Sequence, residues 1–124
     1  MKKYYIFLFY FFVLTVYSQE NIPVFKVGEK LQYKMSYSGF LRAGTATLEI
    51  KEAEINDKKV FHAVGKGWTT GWIKWFFKVN DNYQTYFDKD TVKPYLFKRK
   101  INEGGYKIHR NITFNHDKNE ALVE

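Results

Sequence analysis

Cysteine is absent from the chain. That excludes a disulfide framework, a thiolate metal site and a lipid-modified cysteine at a processing site. The fold must stand on apolar burial alone, which a domain of about 100 residues achieves with modest margin. Histidine is scarce, at His62, His109 and His116. None of these pair at the close spacing that zinc sites show, and His62 and His109 could meet only across a sheet, so no metal and no cofactor are expected. Proline stands only at Pro23 and Pro94. Pro23 offers no amide donor and belongs before or at the start of a strand, and Pro94 ends a connection.

Catalytic and nucleotide motifs are missing as well. Gly65-Lys66-Gly67-Trp68-Thr69 brings a glycine, a lysine and a threonine together, but not in the order of a phosphate loop. Ser36 and Ser38 lack the elbow motif of a serine nucleophile. Asp81, Asp88, Asp90 and Glu103 are the acidic residues of the lysine-rich half. A glycosidase needs two carboxylates about 5 to 10 Å apart in a cleft. Asp81 beside aromatic residues would suit a sugar. Asp81 and Asp90 nevertheless read as turn residues, and Glu103 opens a Gly-Gly hairpin. No enzyme is expected.

What is present begins with a leader. Met1-Lys2-Lys3 is a short positive region, Tyr4 to Tyr17 is uncharged and apolar, and Val16-Tyr17-Ser18 offers a small residue before Gln19. This is the layout of a secretory signal peptide cleaved after Ser18. The apolar run is shorter than the roughly 20 residues a bilayer-spanning helix needs, and no second run follows it. Residues 1–18 are expected to form the signal peptide, and no transmembrane segment is expected after cleavage.

The net charge is +7, and it is uneven. Gln19 to Asp57 carries five basic and six acidic residues, whereas Lys58 to Arg110 carries twelve basic and four acidic. Anionic lipid head groups, acidic glycans or nucleic acid would suit such a surface. Basic residues interleave there with aromatic ones: Lys74, Lys78, Lys98, Lys100, Lys107 and Arg110 lie among Trp75, Phe77, Tyr95, Phe97 and Tyr106. An amphipathic strand with one wet face produces the same pattern, so no nucleic-acid partner is expected.

Along the remaining chain, apolar and polar residues alternate with a period of two. Leu31, Tyr33, Met35 and Tyr37 form one such series. Ala46, Leu48 and Ile50 form a second, within a strand from Thr45 to Glu54 that follows a Ser38–Gly44 loop. Asn56-Asp57-Lys58 is a turn by composition, and Val60 to Gly67 is a third strand. Tyr83, Thr85 and Phe87, then Tyr95, Phe97, Arg99 and Ile101, then Tyr106, Ile108, Arg110, Ile112 and Phe114 continue the pattern. Gly104-Gly105 allows the positive φ of a tight hairpin. Glu120 to Glu124 opens one more strand with no partner after it. The fold class is therefore all-β, an antiparallel meander forming a curved sheet or incomplete barrel after an N-terminal signal helix. Residues 19–124 are expected to be the N-terminal part of one β-rich domain, truncated at its C-terminus.

The chain is 20% aromatic, and all three tryptophans lie between Trp68 and Trp75. Trp68, Trp72, Trp75 and Val79 fall at helical spacing. Thr69, Thr70 and Gly71 oppose a regular helix, so at most a short helical turn near residues 70–76 is expected, then a strand from about Phe76. Asn80-Asp81-Asn82 reads as a turn or bulge. The stretch is expected to plug or cover one end of the sheet. As a ligand site it would use Trp68, Trp72, Trp75 and Phe77.

The ordered series of these pieces resembles a known family. Phe25-Lys26-Val27-Gly28-Glu29-Lys30-Leu31, Ala43-Gly44-Thr45-Ala46-Thr47-Leu48-Glu49, Val64-Gly65-Lys66-Gly67, Val79-Asn80-Asp81-Asn82-Tyr83 and Glu103-Gly104-Gly105-Tyr106 look like the bacterial exported domain-of-unknown-function family 3108. The resemblance implies an exported or periplasmic β-rich protein of Gram-negative bacteria and a longer domain. It implies no catalytic residues, because the family carries none that are established. Together these features lead us to expect an exported protein of the periplasm or outer membrane, or a secreted one. It would be a non-enzymatic sheet protein that binds an apolar or lipid-like ligand or another envelope component. The alternative is a structural or interaction module of the envelope.

Overall fold

A computed structural model describes residues 24–39 and 41–124. The expected leader lies outside the described residues. The elements are β1 (Lys30–Tyr37), β2 (Leu41–Ile55), β3 (Lys58–Thr69), α1 (Ile73–Phe76), β4 (Asn80–Phe87), β5 (Pro94–Glu103), β6 (Tyr106–Asn115) and β7 (Glu120–Val123). The strands form one open, curved sheet in the order β1 to β7, every neighbour antiparallel. Among the described residues β1 and β7 are not paired with each other, so the meander remains a sheet and does not close into a barrel.

Local chemistry explains the short connections. Ile55 pairs with Lys58 across Asn56 and Asp57, which take φ values of 50° and 60°. Glu103 pairs with Tyr106 across Gly104 and Gly105, at 58° and 96°. Two consecutive positive φ values match the right-handed twist of the flanking strands, and Asn, Asp and Gly reach them at low cost.

Register carries the period of two across the whole sheet. Ile50, Ala63, Thr85, Phe97, Ile112 and Val123 form one continuous row. Leu31, Leu48, Gly65 and Tyr83 form the neighbouring row on the same face. The opposite face is mostly polar: Glu49, Gln84, Lys98 and Asn111 share one row with the buried Val64, and Thr47, Lys66, Asn82, Lys100 and His109 form another. The alternating series read from the sequence thus all fall on one face.

Three boundaries differ from expectation. β2 begins at Leu41, within the expected loop, because Leu41 and Arg42 pair with Tyr37 and Ser36 beyond a bulge at Met35/Ser36. β3 runs through Gly65 and Gly67 to Thr69, because the glycines are paired on both sides. Asn80-Asp81-Asn82 is the start of β4 and not a turn: Asp81 is buried, and its carboxylate accepts the Asn102 amide at 3.1 Å.

The tightest packing lies at the end of the sheet where β2 turns into β3. Val60 is fully buried, and Phe61 and Phe87 are nearly so. Phe25 lies edge-on to both rings, with centroids 6.2 and 5.4 Å away. Its segment is tied down where the Gly28 amide donates to the Ile50 carbonyl at 2.8 Å and the Ile50 amide donates to the Glu29 carbonyl at 2.9 Å.

Asp88 closes the same end. Its buried carboxylate accepts the Lys58 ammonium, the Tyr95 hydroxyl at 3.0 Å, and the Asp90 and Thr91 amides at 2.9 and 2.8 Å. The Lys58 bond, then the Thr91 and Asp90 amides, hold this carboxyl well below the usual carboxylate range. The same contact raises the Lys58 ammonium above its ordinary value. One residue thereby ties the first residue of β3 to the β4–β5 connection.

Two predictions follow from this end of the sheet. Phe61→Ala or Phe87→Ala lowers unfolding free energy by about 3–5 kcal/mol in urea titrations, whereas Trp75→Ala, at 89% exposure, changes it by no more than about 0.5 kcal/mol. Because Asp88 is depressed in the folded state, its contribution is complete above the unfolded carboxylate value near 3.9 and is lost as pH falls through the folded one. Asp88→Asn therefore lowers the melting temperature at neutral pH and flattens its fall below about pH 4. Equal acid slopes for the two proteins in thermal melts would show that this carboxylate does not act as a clamp.

Candidate functional site

Among the described residues the apolar face is left largely uncovered. Leu31, Tyr33, Met35 and Leu48 stay 47–55% exposed, although the alternation aims them all at one side. A groove of about 570 Å³ runs between the Phe25 segment and the sheet, lined by Phe25, Leu31, Leu48, Ile50, Ala63 and Gly65. Gly65 forms its floor. A Cβ added there would lie 3.2 Å from Leu48 Cδ2, so a side chain at this position would take up groove space. Glu29, Lys30, Glu49 and Val64 also contribute to its lining. A volume of this order matches ordinary small-molecule sites, which are mostly apolar with a few polar groups.

The tryptophan stretch leaves the sheet as a narrow-necked excursion. At the neck, Thr69 and Val79 exchange hydrogen bonds: the Thr69 amide donates to the Val79 carbonyl at 3.2 Å, and the Val79 amide donates to Thr69 Oγ1 at 3.0 Å. Gly71, at φ 63°, redirects the chain into α1. One turn forms as the Trp75 amide donates to the Trp72 carbonyl and the Phe77 amide to the Ile73 carbonyl. The Thr70 amide reaches the Ala43 carbonyl, and the Gly104 amide reaches the Lys78 carbonyl. The excursion is therefore fastened to β2 on one side and to the β5–β6 hairpin on the other.

Trp72, Trp75 and Phe77 lie on this excursion, Trp68 lies in β3 just before it, and none of the four lines the groove. Trp68 is the last but one residue of β3, on the polar face opposite Thr45 and Asn80, at 36% exposure. Trp72 precedes α1 and Trp75 lies within it, at 67% and 89%. Phe77 rests on the β5–β6 hairpin, where a Cβ at Gly104 would come within 2.5 Å of its ring. These side chains plug no core. The strand expected from Phe76 begins only at Asn80, because Phe76 completes α1.

A second hollow, of about 630 Å³, opens on the polar face beside the excursion. Asn80, Asn82, Lys100, Asn102, Lys107 and His109 line it. Amides and ammonium groups make it suited to an anionic or hydroxylated group. His62 is not part of it. Its ring stacks on Tyr86 at 4.1 Å, and Nε2 lies 3.0 Å from Gln84 Oε1. Burial holds this imidazole below its usual value; Lys51 and Lys98 push the same way, and the Gln84 bond opposes them. His62 and His109 lie on strands separated by β4 and β5. Among the described residues no three His, Asp or Glu side chains gather as metal ligands.

The groove residues were not singled out from the sequence. Their signal was present in the alternation of Leu31 and Leu48, but their exposure depends on what packs above the sheet. A model of the family described as protein of unknown function (DUF3108) matches residues 32–124. The chain belongs to that family. No curated protein and no solved structure matches the chain.

Proposed function

We propose that this member of the family is an exported cell-envelope protein that binds an apolar or lipid-like ligand without chemical turnover. The uncovered apolar face and its groove carry the reading. Burying large aliphatic side chains is worth about 1.5–3 kcal/mol each, and here Leu31, Leu48, Tyr33 and Met35 withhold much of that from the fold. An acyl chain laid along the Leu31–Leu48–Gly65 row would recover it. Glu29, which also lines the groove, would meet a polar end group.

Export is supported by the sequence of the first eighteen residues, with Lys2 and Lys3 before the apolar stretch and Ser18 at its end. No helix among the described residues is long and apolar enough to cross a membrane. The buried carboxylates have structural duties: Asp81 holds the Asn102 amide and Asp88 holds Lys58. That supports a binding role over a catalytic one.

Native mass spectrometry of the purified full-length protein, followed by titration with a fluorescent fatty acid, tests the reading. The expected outcome is a co-purifying lipid-like mass and saturable binding. Leu48→Ala and Gly65→Val should each weaken binding by about tenfold, the equivalent of 1.4 kcal/mol. A folded protein that repeatedly carries no ligand and does not bind the probe would overturn it.

A further inference from the structure

We propose that the end of the sheet carrying the tryptophan excursion docks onto an anionic lipid bilayer. The proposal rests on observations separate from the groove. Trp72, Trp75, Phe76 and Phe77 are 67%, 89%, 86% and 51% exposed on one short excursion. Tyr106, on the hairpin that Phe77 touches, is 65% exposed. Large aromatic side chains gathered at a projecting end are unusual for a surface that only meets water. Tryptophan in particular favours the boundary between lipid head groups and acyl chains, where its ring is apolar and its N–H remains wet.

Charge at this end points to the same partner. Lys74 lies within the helical turn and Lys78 just after it, and Arg42 adjoins Ala43, to whose carbonyl the excursion is fastened. Lys100 and Lys107 line the polar hollow beside the excursion. The acidic residues close by are Asp81, buried and bonded to the Asn102 amide, and Glu103, half-buried at the hairpin. Asp57, Asp88, Asp90 and Asp117 all lie in connections at the other end. That end also carries Lys58, Lys59, Lys89, Lys93 and Lys118, so its charges largely offset one another, whereas the aromatic end keeps a basic excess. Aromatic side chains would enter the head-group region while the lysines meet lipid phosphates, the combination that gives stable yet reversible surface binding.

The aromatic residues are held for this task. The Thr69–Val79 neck and the bonds to Ala43 and Lys78 fix where the excursion leaves the sheet. The side chains themselves carry little of the fold, so they can be changed without loss of structure. Trp72 and Trp75 lie on the excursion, and Trp68, the third tryptophan of the chain, lies in β3 at the same end of the sheet. Their fluorescence therefore reports this end alone, independently of the apolar stretch at residues 4–17, which contains none.

The test adds vesicles of phosphatidylglycerol and phosphatidylcholine to the full-length protein and follows tryptophan emission. Acyl chains brominated near the head group serve as quenchers. The expected result is a blue shift with quenching, weak or absent with phosphatidylcholine alone, and reduced by salt. Trp75→Ala/Phe76→Ala and Lys74→Glu/Lys78→Glu should each weaken partitioning by about tenfold or more while circular dichroism and melting stay unchanged. Tryptophans that remain unshifted and unquenched on anionic vesicles would overturn the proposal. So would binding that is indifferent to the lysine reversal, or a lipid-independent blue shift accompanied by dimers in size-exclusion chromatography, which would assign this end to a second copy of the chain. Loss of the fatty-acid titration in Leu48→Ala with vesicle binding retained would separate the two sites.

Discussion

A sheet that is apolar on one face must have that face covered, and among the described residues the cover is small. Every alternating series sends its apolar members to the same side, so the register leaves no freedom about which face is greasy. Against seven strands the described chain sets only the short segment around Phe25. Where that segment lies, Phe61 and Phe87 are buried; further along the sheet, Tyr33, Met35 and Leu48 are half exposed. The distribution of stability, the groove and the character of the two ends all follow from this shortfall. One end is closed by aromatic packing and by the four-partner carboxylate of Asp88. The other is closed by backbone bonds at the neck of the excursion, with its aromatic side chains left outside.

Much of this was legible in the sequence. A period of two reports the face of a residue without any knowledge of neighbours, so the faces of β1, β2, β4, β5 and β6 were readable. Asn56-Asp57 and Gly104-Gly105 were readable because so few residue types accept consecutive positive φ. Asn80-Asp81-Asn82 was misread for a related reason. Asp and Asn favour turns because their side chains compete for backbone groups, but here Asp81 spends that capacity on Asn102, across the sheet. Nothing local announces such a partner. The ends of β2 and β3 were missed because glycine weakens a lone strand, yet Gly44, Gly65 and Gly67 are held by pairing on both sides.

The tryptophan stretch marks the limit of what periodicity can say. Spacing of three or four residues does give a helical turn, and Thr69, Thr70 and Gly71 do keep it short. Spacing cannot say whether the turn faces a core, because that depends on what lies opposite. The excursion rises beyond the end of the sheet, where β3 has ended and β4 has not begun. No strand offers it an apolar surface there. Its tryptophans therefore remain in solvent for a topological reason, not a compositional one.

Magnitude decides whether that exposure can be incidental. Leaving Trp72, Trp75, Phe76 and Phe77 in water forgoes roughly 1.5–3 kcal/mol of burial apiece. The sum is of the same order as the whole stability of an ordinary domain, about 5–15 kcal/mol. Scattered exposed apolar residues are common and need no explanation, but a contiguous cluster of this size is a liability for aggregation unless something covers it or holds copies apart. Lys74 and Lys78, set among the rings, supply that repulsion in solution. The same charges would attract an anionic surface. Aromatic side chains and lysines together at one end thus keep the free protein apart from its own copies while leaving it able to bind a partner of opposite charge. A cluster kept exposed only by chance would carry the first burden with no such return, and its rings would gain nothing from being fastened in place by the bonds at Thr69, Ala43 and Lys78.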